Sequence, residues 1–317
     1  MDDLRLLTKV ATLYHEGGLN QAAIADRLGL SRQTVGRHLK RARDLGLVEI
    51  TIRAPLEFAA DLELVLEQSF GLEEVIVVSP RADTEASLKE ALGVAGAALL
   101  TRRVQPGHVI GVSWSSTLLQ CAMQLEQGTP RRVIVVQING SLDRTSYSTR
   151  AEFILDRIAH AFGGTTVPLL APLFVDRPEI KASLLSDSHI AATLKLARSA
   201  NLALFGVGDL SRQSSLYKAG YVDDAQLKRL TREGAVGDIC GQFFNSAGEA
   251  CARDLAERTI AIDLEDLRAK SLAVAIAGGT HKVGALRGML RGGFCNVLIT
   301  DRDAASALLE PVSRSKS

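Results

Sequence analysis

VIGVSWSST, residues 109–117, is the stretch on which the fold turns. Four apolar residues run without polar alternation and pass at once into a hydroxyl-rich turn and a helical stretch. A strand with one wet face would alternate, so this one is buried on both sides. The same grammar recurs in VIVV (75–78), VIVVQI (133–138), LALFGV (202–207), LAVAIA (272–277) and NVLIT (296–300), with helical stretches between them. Apolar strands alternating with helices specify a doubly wound, mostly parallel α/β domain over residues 71–317.

Ligands of such sheets gather at the carboxyl ends of the strands. There Ser113, Ser115, Ser116 and Thr117 bring hydroxyls and free backbone N–H groups to the positive end of a helix, a place for an anion. VIVVQI ends in Asn139, Gly140 and Ser141. LALFGV ends in Gly206, Val207, Gly208 and Asp209, and LAVAIA runs into Gly278, Gly279, Thr280, His281 and Lys282. Glycines let a ligand approach the backbone, and Lys282 adds a full positive charge. The segment GAVGDICGQFF (234–244) contributes Asp238, an acceptor suited to sugar hydroxyls. A P-loop and a GxGxxG are both absent, which argues against nucleoside triphosphates and dinucleotides. No cofactor is expected.

Ahead of this domain lies a second pattern. Leu4, Leu7, Val10, Ala11 and Tyr14 recur at helical spacing until Gly17 and Gly18. Asn20 can cap a short second helix with Ile24, Ala25 and Leu28 inward, and Gly29 ends it where a left-handed residue is needed. Ser31 caps a third helix whose apolar stripe is Val35, Leu39 and Ala42, leaving Arg32, Gln33, Arg37, Lys40 and Arg41 outward. That face carries no acid before Asp44. Short helix, tight turn and longer cationic helix together make a helix-turn-helix over residues 1–53, with LVEITI (47–52) as the strand of a small wing. Arg32 and Arg37 suit guanine, Gln33 suits adenine, Thr34 offers a methyl and a hydroxyl, and Lys40, Arg41 and Arg43 suit phosphates. Gln21 and Ser31, at the starts of the second and third helices, complete the expected double-stranded DNA contacts. Residues 54–70 read as a linker helix with Phe58, Leu62, Val65 and Leu66 on its apolar face and Asp61, Glu63 and Glu67 mostly on others. One such DNA module contacts a half-site, so a homodimer or homotetramer is expected.

The bulk numbers agree. The 317 residues are 46% hydrophobic and 23% charged, and no apolar run is long enough to span a bilayer. Residues 1–53 hold nine Lys/Arg against six Asp/Glu, whereas the rest holds 28 against 30, so the positive excess is local. MDDLRLLTKV lacks the basic start and apolar block of a signal peptide, which implies a cytoplasmic location. Cys121, Cys240, Cys251 and Cys295 show no metal-binding spacing and read as reduced thiols.

Across essentially its whole length the chain resembles the SorC-type sugar-responsive transcriptional regulators of bacteria. SRQTVGRHLKRARDLGLVEI, IGVSWSSTL, GAVGDICGQFFNSAG and VAIAGGTHKVGALRGMLRGGFCNVLITD carry the resemblance. It implies an effector domain similar to phosphosugar isomerases and deaminases but used for sensing, an operator-binding oligomer, and an effector that is commonly a phosphorylated sugar or polyol. By motif position, Ser116 and Thr117 look like the phosphate loop, Asn139 and Gly140 like part of the sugar wall, and Asp238 and Lys282 like the remaining polar contacts. Ser115 stands where the family often has glycine, and Asn245 where an aspartate is more usual. Two other readings are an isomerase or deaminase using Asp238 with Lys282 or His281, and an architectural DNA binder. Neither is preferred, since no acid–base pair stands at a recognisable separation.

Overall fold

The computed structural model describes residues 2–48, 59–141 and 150–311. The chain divides into two compact units, Met1–Pro55 and Leu56–Ser317.

The smaller unit is three helices, α1 (Asp2–His15), α2 (Gln21–Leu28) and α3 (Arg32–Asp44). Asn20 Oδ1 accepts from the Ala23 N–H at 2.9 Å, so one otherwise unpaired donor at the start of α2 is satisfied. Gly29, at φ 64°, closes the helix with its N–H on the Ala25 carbonyl. Ser31 Oγ accepts from the Thr34 N–H at 3.1 Å and starts α3. Leu7, Val10, Ala11, Ile24, Ala25, Val35, Leu39 and Ala42 are buried. Leu4 and Tyr14, expected on the inner stripe of α1, are exposed. So small a bundle covers only the middle of a 14-residue helix. Of the LVEITI run read as a wing, residues 49–52 lie outside the described residues, as does Phe58.

The larger unit begins with α4 (Ala60–Phe70), β1 (Glu74–Val78), α5 (Glu85–Arg103), β2 (Val109–Val112), α6 (Ser116–Gln124) and β3 (Ile134–Gln137). It continues with α7 (Ala151–Ala161), β4 (Thr165–Val167), α8 (Pro178–Ser186), α9 (Ser188–Arg198), β5 (Leu202–Phe205) and β6 (Gly208–Asp209). Next come α10 (Ser215–Lys218), α11 (Asp224–Arg232), β7 (Ala235–Ile239), β8 (Gln242–Asn245), α12 (Arg253–Ala256) and α13 (Leu264–Arg268). Last are β9 (Leu272–Ile276), a 3₁₀ turn (Thr280–Lys282), α14 (Val283–Arg291), β10 (Val297–Asp301) and α15 (Arg302–Leu309). Among the described residues, seven strands form one sheet in the order β1-β10-β9-β5-β2-β3-β4. Every pairing in it is parallel.

The side-chain period of two divides the interior. Leu202, Leu204, Val274, Ile276, Val297 and Ile299 face one core with α5, α6 and α7. Ala203, Phe205, Ala273, Ala275 and Leu298 face the other with α9, α14 and α15. Helices therefore cover both faces, as the unbroken apolar runs require.

Two differences from the sequence reading concern this sheet. The strand β4 was not foreseen, because three residues of GGTTVP present no apolar run. The helix α4 turns Glu63 and Glu67 toward the sheet, and leaves Val65 exposed along with Leu64. Here β1 is an edge strand, whose N–H groups would otherwise lack partners. Glu63 Oε1 accepts from the Val77 N–H at 2.8 Å and Glu67 Oε1 from the Val75 N–H at 2.9 Å. Only Leu66 of the helix is fully buried.

The second, three-stranded sheet is antiparallel, in the order β6-β7-β8. Most of the segment 234–244, from which Asp238 was expected to reach the ligand, forms its strands β7 and β8. Cys240 and Gly241 form the whole turn between β7 and β8 and both hold positive φ, 55° and 78°. That is the backbone demanded by a two-residue hairpin of primed type.

Candidate effector-binding cavity and DNA-contacting helix

The carboxyl ends of β2, β3, β5 and β9 converge on one cavity of about 260 Å³. From β2 come Ser113, Trp114, Ser115, Ser116 and Thr117, and from β3 comes Asn139. Gly206, Val207, Gly208 and Asp209 follow β5, and Ile276, His281 and Lys282 close the β9 side. The hairpin inserts Asp238, Cys240 and Gly241.

At the α6 end, Ser115 Oγ accepts from the Leu118 N–H at 3.0 Å and caps the helix. Its φ of −165° is extended backbone open to any residue, so a serine here leaves the loop's path unchanged. The Trp114 indole N–H donates to the Gly140 carbonyl at 2.8 Å, tying the β2 loop to the β3 loop. Gln137 supports the same corner, donating to the Asn139 carbonyl at 2.7 Å. Asn139 is 1% exposed, and among the described residues its Oδ1 has no hydrogen-bond partner. A buried acceptor in a cavity wall calls for a donor from a ligand.

Asp238 is also buried. Burial pushes its carboxyl up to about 6, against the pull of the Gly241 N–H and of Lys282, while Asp209 pushes the same way as burial. The Gly241 N–H donates to Asp238 Oδ2 at 3.0 Å. Lys282 donates from Nζ to the Val207 carbonyl at 2.9 Å. Burial holds its ammonium below the usual lysine range, opposed by Asp209 and Asp238.

Eight of the ten residues expected to touch an effector line this cavity: Ser113, Ser115, Ser116, Thr117, Asn139, Gly206, Asp238 and Lys282. Gly140 and Gly279 do not. A Cβ on Gly140 would sit 2.4 Å from the Pro172 backbone, so its glycine serves close packing and its carbonyl anchors Trp114. Gly279 turns the chain at φ 97° and gives its N–H to buried Asp301 at 2.5 Å. Sequence reasoning missed Glu85 and Lys89 of α5 and the segment bearing Gln213, Ser214, Ser215 and Lys218. The first pair opens a helix that follows β1 as α6 follows β2, a signal that was available. Nothing apolar or glycine-rich marks the second. Asn245 lies away from the cavity and closes the turn after β8, its Oδ1 accepting from the Ala247 and Glu249 N–H groups.

In the smaller unit Ser31, Arg32, Gln33, Arg37, Lys40 and Arg41 are exposed, while Gln21 and Thr34 are half-buried. Thr34 Oγ1 lies 2.8 Å from Ser31 Oγ and accepts from Arg37 Nη2 at 3.3 Å. One face of α3 is thus cationic and the other apolar, as a helix that enters a major groove needs. Among the described residues no cluster of His, Cys, Asp and Glu could hold a metal, and no helix is long and apolar enough to cross a membrane. The thiols are free; burial pushes Cys121 up to about 12 and Cys251 up to about 11.

Comparison with known proteins adds a second line of observation. Residues 54–310 match the family model described as "Putative sugar-binding domain", and residues 10–55 match the MarR family. The chain is 34% identical over 305 residues to the deoxyribonucleoside regulator of Bacillus subtilis, covering 96% of this chain and 97% of that one. It is 31% identical over 317 residues to the sorbitol operon regulator of Klebsiella pneumoniae, covering 98% and 99%. The crystal structure of that full-length regulator, SorC, superposes with a TM-score of 0.74 over 98% of this chain and 100% of the other.

Proposed function

The chain belongs to the SorC-type sugar-binding transcriptional regulators, and from that premise we propose that the cavity takes a single phosphorylated sugar or polyol which controls the grip of α3 on operator DNA. The observation that carries this reading is the pairing of opposite chemistries in one small space. Buried acceptors on Asn139 and Asp238 suit hydroxyl groups. Lysines and the hydroxyl-bearing start of α6 suit an anionic group. Ligand pockets for drug-sized molecules run from about 300 Å³ upward. A cavity of about 260 Å³ therefore lies at the small end of that range and suits one sugar unit.

Control follows from differential affinity. An effector that fits one arrangement of the assembly better than another shifts the equilibrium by that difference, and couplings of roughly 1–3 kcal/mol alter operator affinity about 5- to 150-fold. The assembly is a homodimer or homotetramer, because one α3 reads a half-site. In this reading Arg32, Gln33, Thr34 and Arg37 contact base edges, and Gln21, Ser31, Lys40 and Arg41 contact phosphates. The protein senses and does not turn its ligand over.

Thermal-shift measurements against pentose and hexose monophosphates, the matching free sugars and polyols test the proposal. A phosphorylated member should raise the melting temperature and change operator affinity in a gel-shift titration. If no phosphorylated sugar or polyol did either, the cavity would not be an effector site of this kind. Isomerisation or deamination of a bound phosphosugar would favour the enzyme reading instead.

A further inference from the structure

The formal charges of the cavity's described lysines and carboxylates cancel, where a simple phosphate site would carry a positive excess. Among the described residues three lysines line it, Lys89, Lys218 and Lys282, together with three carboxylates, Glu85, Asp209 and Asp238. Lys282 is engaged with the Val207 carbonyl and has Asp209, Asp238 and, least of the three, Glu85 as its acidic neighbours. Lys89 and Lys218 remain to meet an incoming anion. Glu85 is paired with the first of them, its Oε1 lying 2.5 Å from Lys89 Nζ. Lys89 most of all, with help from Lys218 and His281, holds the Glu85 carboxyl below the usual range. The carboxylate thus sits in the field of the cations that a phosphate would use, on the first turn of α5 and 67% exposed.

We propose that Glu85 is a built-in competitor: in the effector-free chain its carboxylate occupies Lys89, an anionic effector displaces it, and its charge thereby sets how strongly the cavity prefers phosphorylated over uncharged ligands. The inference rests on the reading of the cavity as a sugar phosphate site. Its physical content is that a dianion arriving beside Lys89 meets one negative charge that must move aside or repel it, whereas a neutral sugar meets no such term. An exposed side chain on the first turn of a helix can swing away at little cost beyond the lost ion pair, and exposed pairs of this kind are weak. The competitor is therefore displaceable, and the selectivity it imposes is moderate.

Isothermal titration calorimetry of the full chain, with inorganic phosphate as the anionic probe and D-ribose as the neutral one, tests this near neutral pH. Glu85→Gln should tighten inorganic phosphate about 3- to 10-fold and leave the D-ribose affinity unchanged. Glu85→Ala should do the same, and Glu85→Asp, which keeps the charge, should stay within about twofold of the parent. The gain should shrink as salt is raised. Unchanged or weaker phosphate binding in Glu85→Gln and Glu85→Ala, with the parent binding phosphate, would overturn the role of Glu85 alone. Equal tightening of phosphate and ribose would overturn it too, since charge would not be the cause. A parent chain that bound neither inorganic phosphate nor any sugar phosphate at millimolar concentrations would overturn the cavity reading and this inference together.

Discussion

Replacing Asp238 by asparagine should make the larger unit more stable near neutral pH and no more stable in mild acid. The folded environment pushes this carboxyl from 3.8 up to about 6, chiefly by burial. Between those values the folded chain holds a proton that the unfolded chain has released, so stability falls as pH rises from about 4 and levels off above about 6. The full difference corresponds to about 3 kcal/mol, by the equivalence of one pKa unit with about 1.4 kcal/mol. Asparagine keeps the shape, and its carbonyl oxygen can still accept from the Gly241 N–H, so the variant escapes the cost of a buried charge while losing part of a charge-assisted hydrogen bond. Net stabilisation of roughly 1–3 kcal/mol near pH 7.5 is expected, vanishing near pH 4. Trp114 is the sole tryptophan and lies in the cavity wall, so its fluorescence in urea titrations reports this unit's unfolding. Parallel pH profiles for parent and variant would refute the argument, because Asp238 would then be as well solvated as an exposed carboxylate.

Other perturbations read other parts of the chain. Lys282→Ala removes the tie to the Val207 carbonyl and the cation beside Asp209 and Asp238, and should shrink the thermal shift given by the best phosphorylated ligand; an unchanged shift would place the ligand elsewhere. Glu63→Ala and Glu67→Ala each strip an edge-strand N–H of its acceptor, and urea unfolding should show a loss of about 1.5 kcal/mol each, at the low end for a charged acceptor. Gly284→Ala, in α14 with open space at the Cβ position, should instead stabilise by about 0.5–1 kcal/mol in the same assay. Arg37→Ala should cost operator binding about 1–3 kcal/mol and relax the sequence preference in a gel-shift series.

Much of this protein is set by local sequence. An unbroken apolar run such as VIGV is stable only between two covered faces, and β2 forms over those same residues. Asn20, Gly29 and Ser31 fix the helix ends of the smaller unit through hydrogen bonds that reach three or four residues, so their effects are legible without any tertiary knowledge. The strand ends likewise foretold where the cavity opens.

What lay beyond the sequence depends on contacts between distant segments. That Glu63 and Glu67 turn inward follows from β1 being an edge, which only the strand order decides. Gly140 and Gly279 are glycines at strand ends like Gly206, yet Pro172 and Asp301, from elsewhere in the chain, take them out of the cavity wall. Lys89 and Lys218 stand 129 positions apart in the sequence and share the field of Glu85 because the sheet brings α5 and α10 to one rim. Hydrogen-bonding caps and apolar periodicity act within a turn or a strand; burial and electrostatic fields act through space, and so belong to the folded chain alone.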